Sequence, residues 1–126
     1  MPTKLQVIHA RDFVRATPEG QLDLETSKTA LANIVSISAA LADYHVLLDT
    51  RKSNVVMSVT DLWYLAEALS TLRGAFNSKT AVLCPTERFD SAEFFALCAQ
   101  NRGLRVQAFR SFEDAIEWFI ADWADA

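Results

Sequence analysis

Five short apolar segments along the chain have the patterns of β-strands. KLQVIHA (residues 4–10) and DFVRATP (12–18) alternate between apolar and polar residues and lie close together, which predicts an opening pair of strands. HVLLD (45–49) and TAVLCP (80–85) are continuous apolar runs, as expected of parallel strands that are covered on both faces. LRVQAFRS (104–111) predicts the last strand.

Four longer segments carry apolar residues at helical spacing. They comprise residues 24–43, 58–76, 90–103 and 111–123. The second segment has one strongly apolar face, formed by Leu62, Leu65, Leu69, Leu72 and Phe76. We expect Asp90 or Ser91 to cap the third helix, because short polar side chains accept the free backbone N–H groups of a first turn. In the last helix a similar apolar stripe extends as far as Trp123.

Strands that alternate with helices predict an α/β layer structure. We expect a mixed, largely parallel central sheet of four to five strands flanked by about four helices. No Gly-rich or Ser-rich linker interrupts the pattern, so residues 1–126 are expected to form one domain. Functional surfaces in such folds lie at the carboxyl ends of the strands. The turns that follow Asp49 and Cys84 are therefore the first places to look for a site.

Composition narrows the classes of partner. The chain has 126 residues and a formal net charge of −4, without the clustered Lys and Arg that binding to nucleic acid requires. Its two cysteines, Cys84 and Cys98, lie in apolar surroundings and favour buried thiols in a reduced compartment. No apolar run reaches the roughly 18 residues of a membrane span, and no secretory signal is evident. These features predict a cytoplasmic protein.

Several of these segments resemble the STAS domain family, which includes the sporulation-type anti-sigma factor antagonists and the cytoplasmic domains of sulfate transporters. GQLDLETSKTAL is similar to the family's G-x-L-D strand-to-helix motif, which falls here on Gly20, Leu22 and Asp23. The strand that ends at Asp49 is followed, as in the family, by a serine near the start of the next helix. Of the family's D-S-S-G element, only Ser58 is retained.

The resemblance implies a STAS-like fold and a regulatory role like that of an anti-sigma factor antagonist. A kinase that is also an anti-sigma factor would phosphorylate Ser58, and the phosphate would break the complex. The divergent STAS-like branch also resembles Sec14-type lipid-binding domains. That second likeness implies an alternative function, the carriage of a small apolar, lipid-like ligand.

Ser58 has two interpretations. As a helix cap, its hydroxyl accepts a backbone N–H of the first turn while Asp61, three residues later, accepts the Ser58 amide. As a phosphoacceptor, it would place a phosphate at the positive end of a helix dipole. The neighbouring Asp61 carboxylate opposes that added negative charge, so the sequence favours the cap.

The segment that surrounds this serine is the predicted recognition edge for a protein partner. Its residues are Asp49, Arg51, Lys52, Ser58, Thr60, Asp61 and Trp63. Trp63 and Tyr64 fall off the leucine stripe. Such aromatic residues either pack against neighbouring helices of the same chain or, where exposed, anchor a partner helix or a second copy of the chain. The leading hypothesis is a non-enzymatic binding module, with a homodimer as one form of the contact.

Nothing in the sequence predicts an enzyme. His9 and His45 lie apart from any Cys, Asp or Glu at metal-ligand spacing, so neither a metal nor a cofactor is expected. Cys84 at a strand end invites comparison with phosphatase loops, but Asp90 stands where such loops place an arginine. There is no Gly-rich phosphate loop and no G-x-S-x-G nucleophile motif.

Overall fold

The computed structural model describes the backbone of residues 4–9, 13–37, 44–76 and 78–125, and the side chains of residues 13–36, 44–76 and 78–121. Residues 38–43 of the first predicted helix therefore lie outside the described part, as do the side chains of His9 and Trp123.

Strands and helices alternate along the described chain as the sequence predicts. The strands are β1 (Lys4–His9), β2 (Phe13–Leu22), β3 (His45–Asp49), β4 (Ser53–Val55), β5 (Lys79–Leu83) and β6 (Arg105–Phe109). The helices are α1 (Leu24–Ile37), α2 (Val59–Thr71), α3 (Phe89–Gln100) and α4 (Phe112–Asp125), with a short 3-10 turn at Thr86–Arg88 before α3.

The sheet is mixed and largely parallel, in the order β1-β2-β3-β5-β6. Only β1 and β2 are paired antiparallel among these neighbours. HVLLD and TAVLCP lie side by side in parallel, with Val46 opposite Thr80 and Asp49 opposite Leu83. The predicted α/β class is thereby confirmed, and the described residues add one short strand, β4, that the sequence did not predict.

Helices cover both faces of this sheet, but unequally. Buried residues of α1, α2 and α3 form one core with Val14, Val46 and Val82 from the strands. On the opposite face, α4 alone packs Ala115 and Phe119 against the other side of the same sheet. Two covered faces explain why every residue of β5 is buried, Lys79 and Thr80 included, and why the remaining three residues are apolar.

Strand β2 changes its partner along its length. Its first residues, from Phe13 to Ala16, pair with β3, whereas Gly20 to Leu22 pair with β4, both in parallel. Between the two partners, the Ser53 hydroxyl donates a hydrogen bond of 2.6 Å to the Pro18 carbonyl. β3 and β4 thus run in the same direction beside β2 and are separated by a turn at residues 50–52. This turn emerges at the carboxyl end of β3.

At the β6 edge of the sheet, a helix side chain contacts the outer strand. Gln100, the last residue of α3, donates its side-chain amide to the Val106 carbonyl at 2.7 Å. One acceptor of β6 is therefore occupied from within the molecule.

Candidate functional site

The start of α2 is fixed by a complete capping box. The Ser58 hydroxyl accepts the Asp61 backbone N–H at 3.1 Å, and the Asp61 carboxylate accepts the Ser58 N–H at 3.1 Å. Ser58 has extended backbone angles, as an N-cap residue requires, and its side chain is exposed. The same residue is therefore both structurally engaged and accessible from solvent.

Asp49 lies at the end of β3 and is almost fully buried, with 2 % of its surface exposed. Its carboxylate receives hydrogen bonds from the Arg51 guanidinium, at 2.9 Å through both Nε and Nη2, and from Arg15 Nη2 at 2.7 Å. Burial raises the pKa of Asp49, but the hydrogen bonds from Arg51 and Arg15 together outweigh it and lower the pKa to about 2. Asp49 therefore positions Arg51 and has almost no surface of its own to offer a partner.

Beyond this ion pair, the segment exposes a run of apolar side chains. Val56 is 49 % exposed, Val59 64 %, Trp63 44 % and Tyr64 46 %. We call these four residues the apolar patch. The indole of Trp63 packs edge-on against the Tyr64 ring, and the guanidinium of Arg102 lies 4.6 Å from the centre of the indole. The aromatic rings are thus held in place by contacts within the chain.

The remaining residues of the predicted recognition edge lie on the same segment. Lys52 and Thr60 are exposed, and Asp61 is half-buried by its role in the capping box. Lys52 makes no ion pair with any residue that the structure describes.

The G-x-L-D motif has a structural role at each position. Gly20 has a φ of +100°, a conformation that residues with a side chain rarely adopt, at the point where β2 begins to pair with β4. Leu22 is buried, and Asp23 caps α1 by accepting the Thr26 backbone N–H at 2.9 Å. Hydrogen bonds from Thr26 lower the pKa of Asp23. The three residues shape the transition from strand to helix.

A cavity of about 160 Å³ lies beneath this edge, between the sheet and helices α1 to α3. Its apolar walls include Ile34 of α1, Leu65 of α2, Phe95 of α3, Met57, and the strand residues Leu48 and Val82. Because α2 and the residues before it form one wall, the cavity and the recognition edge share a structural element.

Arg88 and Cys84 line the cavity at the carboxyl ends of β3 and β5, and sequence reasoning did not select Arg88. The Arg88 Nη2 donates to the Thr50 carbonyl at 2.9 Å, which joins the 3-10 turn to the end of β3. Burial raises the pKa of the Cys84 thiol, although the positive charges of Arg88 and Arg110 oppose that increase. Cys84 is thus a neutral thiol, and both cysteines are buried.

The described residues contain no group of three or more His, Cys, Asp or Glu side chains that would hold a metal ion. None of their helices has the length and apolar character to cross a bilayer.

Comparison with known proteins gives a likeness in fold. No family model matches the sequence, and no curated protein sequence matches it significantly. An uncharacterized protein of the DUF3478 family from Shewanella loihica, described as having a SpoIIAA-like fold, superposes with a TM-score of 0.60. It is 16 % identical, over 93 % of each chain. The anti-sigma factor antagonist SpoIIAA in its unphosphorylated form is 17 % identical over 94 % of this chain and 97 % of its own, with a TM-score of 0.49. The order of the strands, the distribution of the helices and the first of these likenesses together show that the chain has a STAS-like fold of the SpoIIAA type.

Proposed function

We propose that the protein is a non-enzymatic, cytoplasmic STAS-type binding module that acts through protein contacts. Its recognition edge is the segment from Asp49 to Trp63, and the partner class that the family resemblance suggests is an anti-sigma-like protein. The observation that carries the proposal is the apolar patch at the start of α2.

The exposure of large apolar side chains is concentrated on this edge. Six such side chains are exposed among the described residues, and four of them belong to the apolar patch. Val59 and Trp63 are four residues apart in α2, so they lie along one side of its first turns, and Val56 lies in the segment that leads into the helix. Scattered single apolar residues are ordinary on a surface, whereas a contiguous group marks an interaction site.

Contacts within the chain also order this edge without a partner. The capping box fixes the first turn of α2, and the Asp49 carboxylate holds Arg51 through three hydrogen bonds. A surface that is already ordered loses little conformational entropy on binding. With Lys52 exposed beside it, the edge suits a partner that has an apolar centre and an acidic rim.

The test compares matched variants in a pull-down from native lysate, followed by measurement of affinity for the retained protein. Trp63→Ala and Val59→Ser are expected to weaken binding by about 30-fold or more, because a buried aromatic anchor contributes about 2 kcal/mol or more. Ile120→Ser, which changes an equally exposed residue of α4 on the opposite face, is the control and should bind normally. Equal retention by all four proteins would refute the recognition edge.

The same assay separates the two interpretations of Ser58. Ser58→Asp keeps a capping carboxylate and adds a charge beside Asp61, whereas Ser58→Ala removes the cap and adds no charge. Loss of the partner with Ser58→Asp alone supports a phosphorylation switch. Loss with Ser58→Ala alone supports a structural cap, and phosphopeptide mass spectrometry of protein from native cells checks the result.

A homodimer is a second form of the same contact. Light scattering of the wild type over a range of protein concentrations measures the mass in solution. A dimer that Trp63→Ala converts to a monomer would identify the partner as a second copy of the chain. A monomer at all concentrations would leave a different protein as the partner.

The cavity favours a second candidate function, the carriage of a small apolar ligand. Its walls are mostly aliphatic and aromatic, and an apolar cavity of about 150 Å³ in another protein accepts benzene. Native mass spectrometry of protein purified from its own cells tests this function. A mass increment that disappears on denaturation supports the carrier, and a bare chain from every growth condition counts against it.

A further inference from the structure

We propose that the cavity beneath α2 binds a small carboxylic acid, whose apolar part is about the size of a phenyl ring and whose carboxylate pairs with Arg88. The inference rests on the second candidate function, the carriage of an apolar ligand, and adds the chemical class of that ligand. It is independent of whether the recognition edge binds a protein.

The volume of the cavity sets the size of the apolar part. At about 160 Å³, it is close to the benzene-binding cavity of about 150 Å³ and well below the roughly 300–1,000 Å³ of sites that enclose drug-sized molecules. The two acyl chains of a membrane lipid would not fit. A single ring or a chain of about six carbons matches the space.

The polar side chains of the lining are Ser27, Thr50, Cys84, Arg88 and Ser91. Thr50 and Cys84 directly follow β3 and β5, Arg88 and Ser91 lie at the start of α3, and Ser27 lies on α1. Thr50 uses its hydroxyl as a donor to the Leu83 carbonyl at 2.9 Å, and the Cys84 thiol contacts the Phe109 carbonyl at 3.6 Å. Toward α1, the Ser27 hydroxyl contacts the Met57 sulfur at 3.8 Å. These three side chains already have partners within the fold, so they offer little to a ligand.

Arg88 differs from them. A guanidinium has five N–H donors, and the bond to Thr50 uses one of them. No carboxylate of the described residues lies within ion-pair distance of Arg88, and the side chain is half-buried. Its planar donors match the two oxygens of a carboxylate, and partial burial strengthens such a pair relative to water.

The charges around Cys84 favour an anion on balance. Arg88 and Arg110 both act electrostatically on Cys84 as positive charges, against the single negative charge of Glu87. Arg110 is exposed and stacks over the Phe89 ring at 4.5 Å, outside the cavity lining. Arg88 is therefore the cationic residue that faces the cavity, and Arg110 provides a matched control.

The test titrates the purified full chain with benzoate and with benzyl alcohol, which has a similar shape and no charge, by isothermal titration calorimetry. Benzoate is expected to bind at least about tenfold more tightly than benzyl alcohol, because a charge-assisted pair adds to the shared apolar contacts. Arg88→Gln should remove that preference and leave the affinity for benzyl alcohol unchanged. Arg110→Gln should leave the affinity for benzyl alcohol unchanged and keep most of the preference for benzoate, because Arg110 lies outside the cavity lining and acts only at a distance. Arg88→Lys should retain part of the preference.

Filling the space provides an independent check. Ala92→Leu and Ala30→Leu each add a side chain to the cavity wall, from α3 and α1 respectively, and each should abolish binding of both probes. Thermal unfolding shows which of the two variants remains folded, and one folded variant is sufficient for this check. Binding of benzyl alcohol without a preference for benzoate would overturn the carboxylate assignment and leave the apolar carrier standing. If neither benzoate nor benzyl alcohol binds, the carboxylate assignment and the carrier function are both overturned. The pull-down of the edge variants tests the protein-binding function independently of this result.

Discussion

At the scale of single residues, the carboxylate of Asp49 organises the end of β3. It is buried, yet two guanidinium groups reach it, and the one from Arg15 also lies over the ring of Phe112 in α4. Asp49 thereby ties the turn at residues 50–52 to β2 and, through Arg15, to α4. A buried carboxylate with paired charges gives a stability that depends on pH.

Asp49→Asn is expected to lower the free energy of unfolding by about 2 to 3 kcal/mol at pH 7, because the charged partner of both arginines is removed. The folded-state pKa of about 2 lies below the unfolded value of about 3.9, so this stability is fully present above the unfolded value. It is lost as the pH falls from about 5 toward 2. Urea unfolding at pH 7, 5 and 3 should show the difference between variant and wild type shrinking at low pH.

Glu67→Gln, which removes an exposed negative charge from α2, controls for the change in net charge. A constant difference between Asp49→Asn and wild type across the pH range would contradict the ion-pair account.

Ser58→Ala is expected to cost about 1 kcal/mol of unfolding free energy, since one N–H of the first turn of α2 loses its acceptor. Ser58→Asp should stay within a few tenths of a kcal/mol of wild type, because aspartate caps as well as serine does. Chemical denaturation measures both. Equal destabilisation by the two variants would show that the hydroxyl does more than cap the helix.

Single residues were predictable where local spacing alone determines their role. Ser58 and Asp61 stand three apart, and that spacing is sufficient to recognise a capping pair. Arg88 had no such signal, because its importance depends on Thr50, which is 38 residues away in the chain. The sequence places Asp49 on an exposed edge, whereas it is buried and paired with Arg15, which is 34 residues away and which a strand pattern does not reveal.

At the scale of elements, the change of partner along β2 creates the surface on which the proposed recognition edge lies. The turn at residues 50–52 interrupts the strand, and Gly20 opposite Ser53 restarts the pairing. Gly20 has room for a side chain, with no atom within 4 Å of an added Cβ, so its requirement for glycine is one of backbone conformation.

Gly20→Ala is therefore expected to destabilise the protein by about 1 to 3 kcal/mol, the cost of a strained backbone conformation. Gly74→Ala is the matched control, because Gly74 is equally uncrowded and has no positive φ. It should be neutral or stabilising by up to about 1 kcal/mol. Thermal unfolding of the two variants tests the contrast, and equal effects would refute the conformational explanation.

Long periodic elements were predictable and the interruptions between them were not. The leucine stripe of α2 is confirmed for Leu62, Leu65 and Leu69, which are buried, whereas the helix ends at Thr71, so that Leu72 and Phe76 follow it. The expectation that Asp90 or Ser91 caps α3 is wrong, because the 3-10 turn at Thr86–Arg88 leads directly into the helix and Arg88 occupies the N-cap position. β4 has three residues, too few for an alternating pattern to stand out.

At the scale of the whole molecule, the two faces of the sheet are covered by different numbers of helices. Three helices share one face, whereas α4 packs on the other and buries Ala115 and Phe119 among its described side chains. Phe119 is central to this smaller layer: it is 3 % exposed, and its ring contacts Phe13, His45 and Trp118.

Phe119→Ala should lower the free energy of unfolding by about 3 to 5 kcal/mol, since the lost ring leaves a cavity that one helix cannot close. The adjacent Ile120→Ala should change it by less than about 0.5 kcal/mol, because Ile120 is 55 % exposed. Guanidinium unfolding measures both variants. A small effect of Phe119→Ala would mean that α4 contributes little to the folded core.

The cavity is the feature of the whole molecule that was hardest to foresee. Its lining comes from β2 to β5 and from three helices, so no continuous segment carries its signature. The resemblance to Sec14-type domains did imply that apolar helix faces part to admit an apolar molecule. The volume of that room and the charged residue at its end depend on how the helices pack.

The bond from Gln100 to the β6 backbone bears on how the protein behaves when concentrated or warmed. An outer strand with free backbone groups is a template on which a strand of another molecule adds, and growth of such intermolecular sheets leads to aggregation. Here one carbonyl of the outer strand is already occupied, and the exposed Arg105 and Gln107 side chains make a foreign apolar strand a poor match. Aggregation from partly unfolded molecules should therefore start elsewhere than at β6.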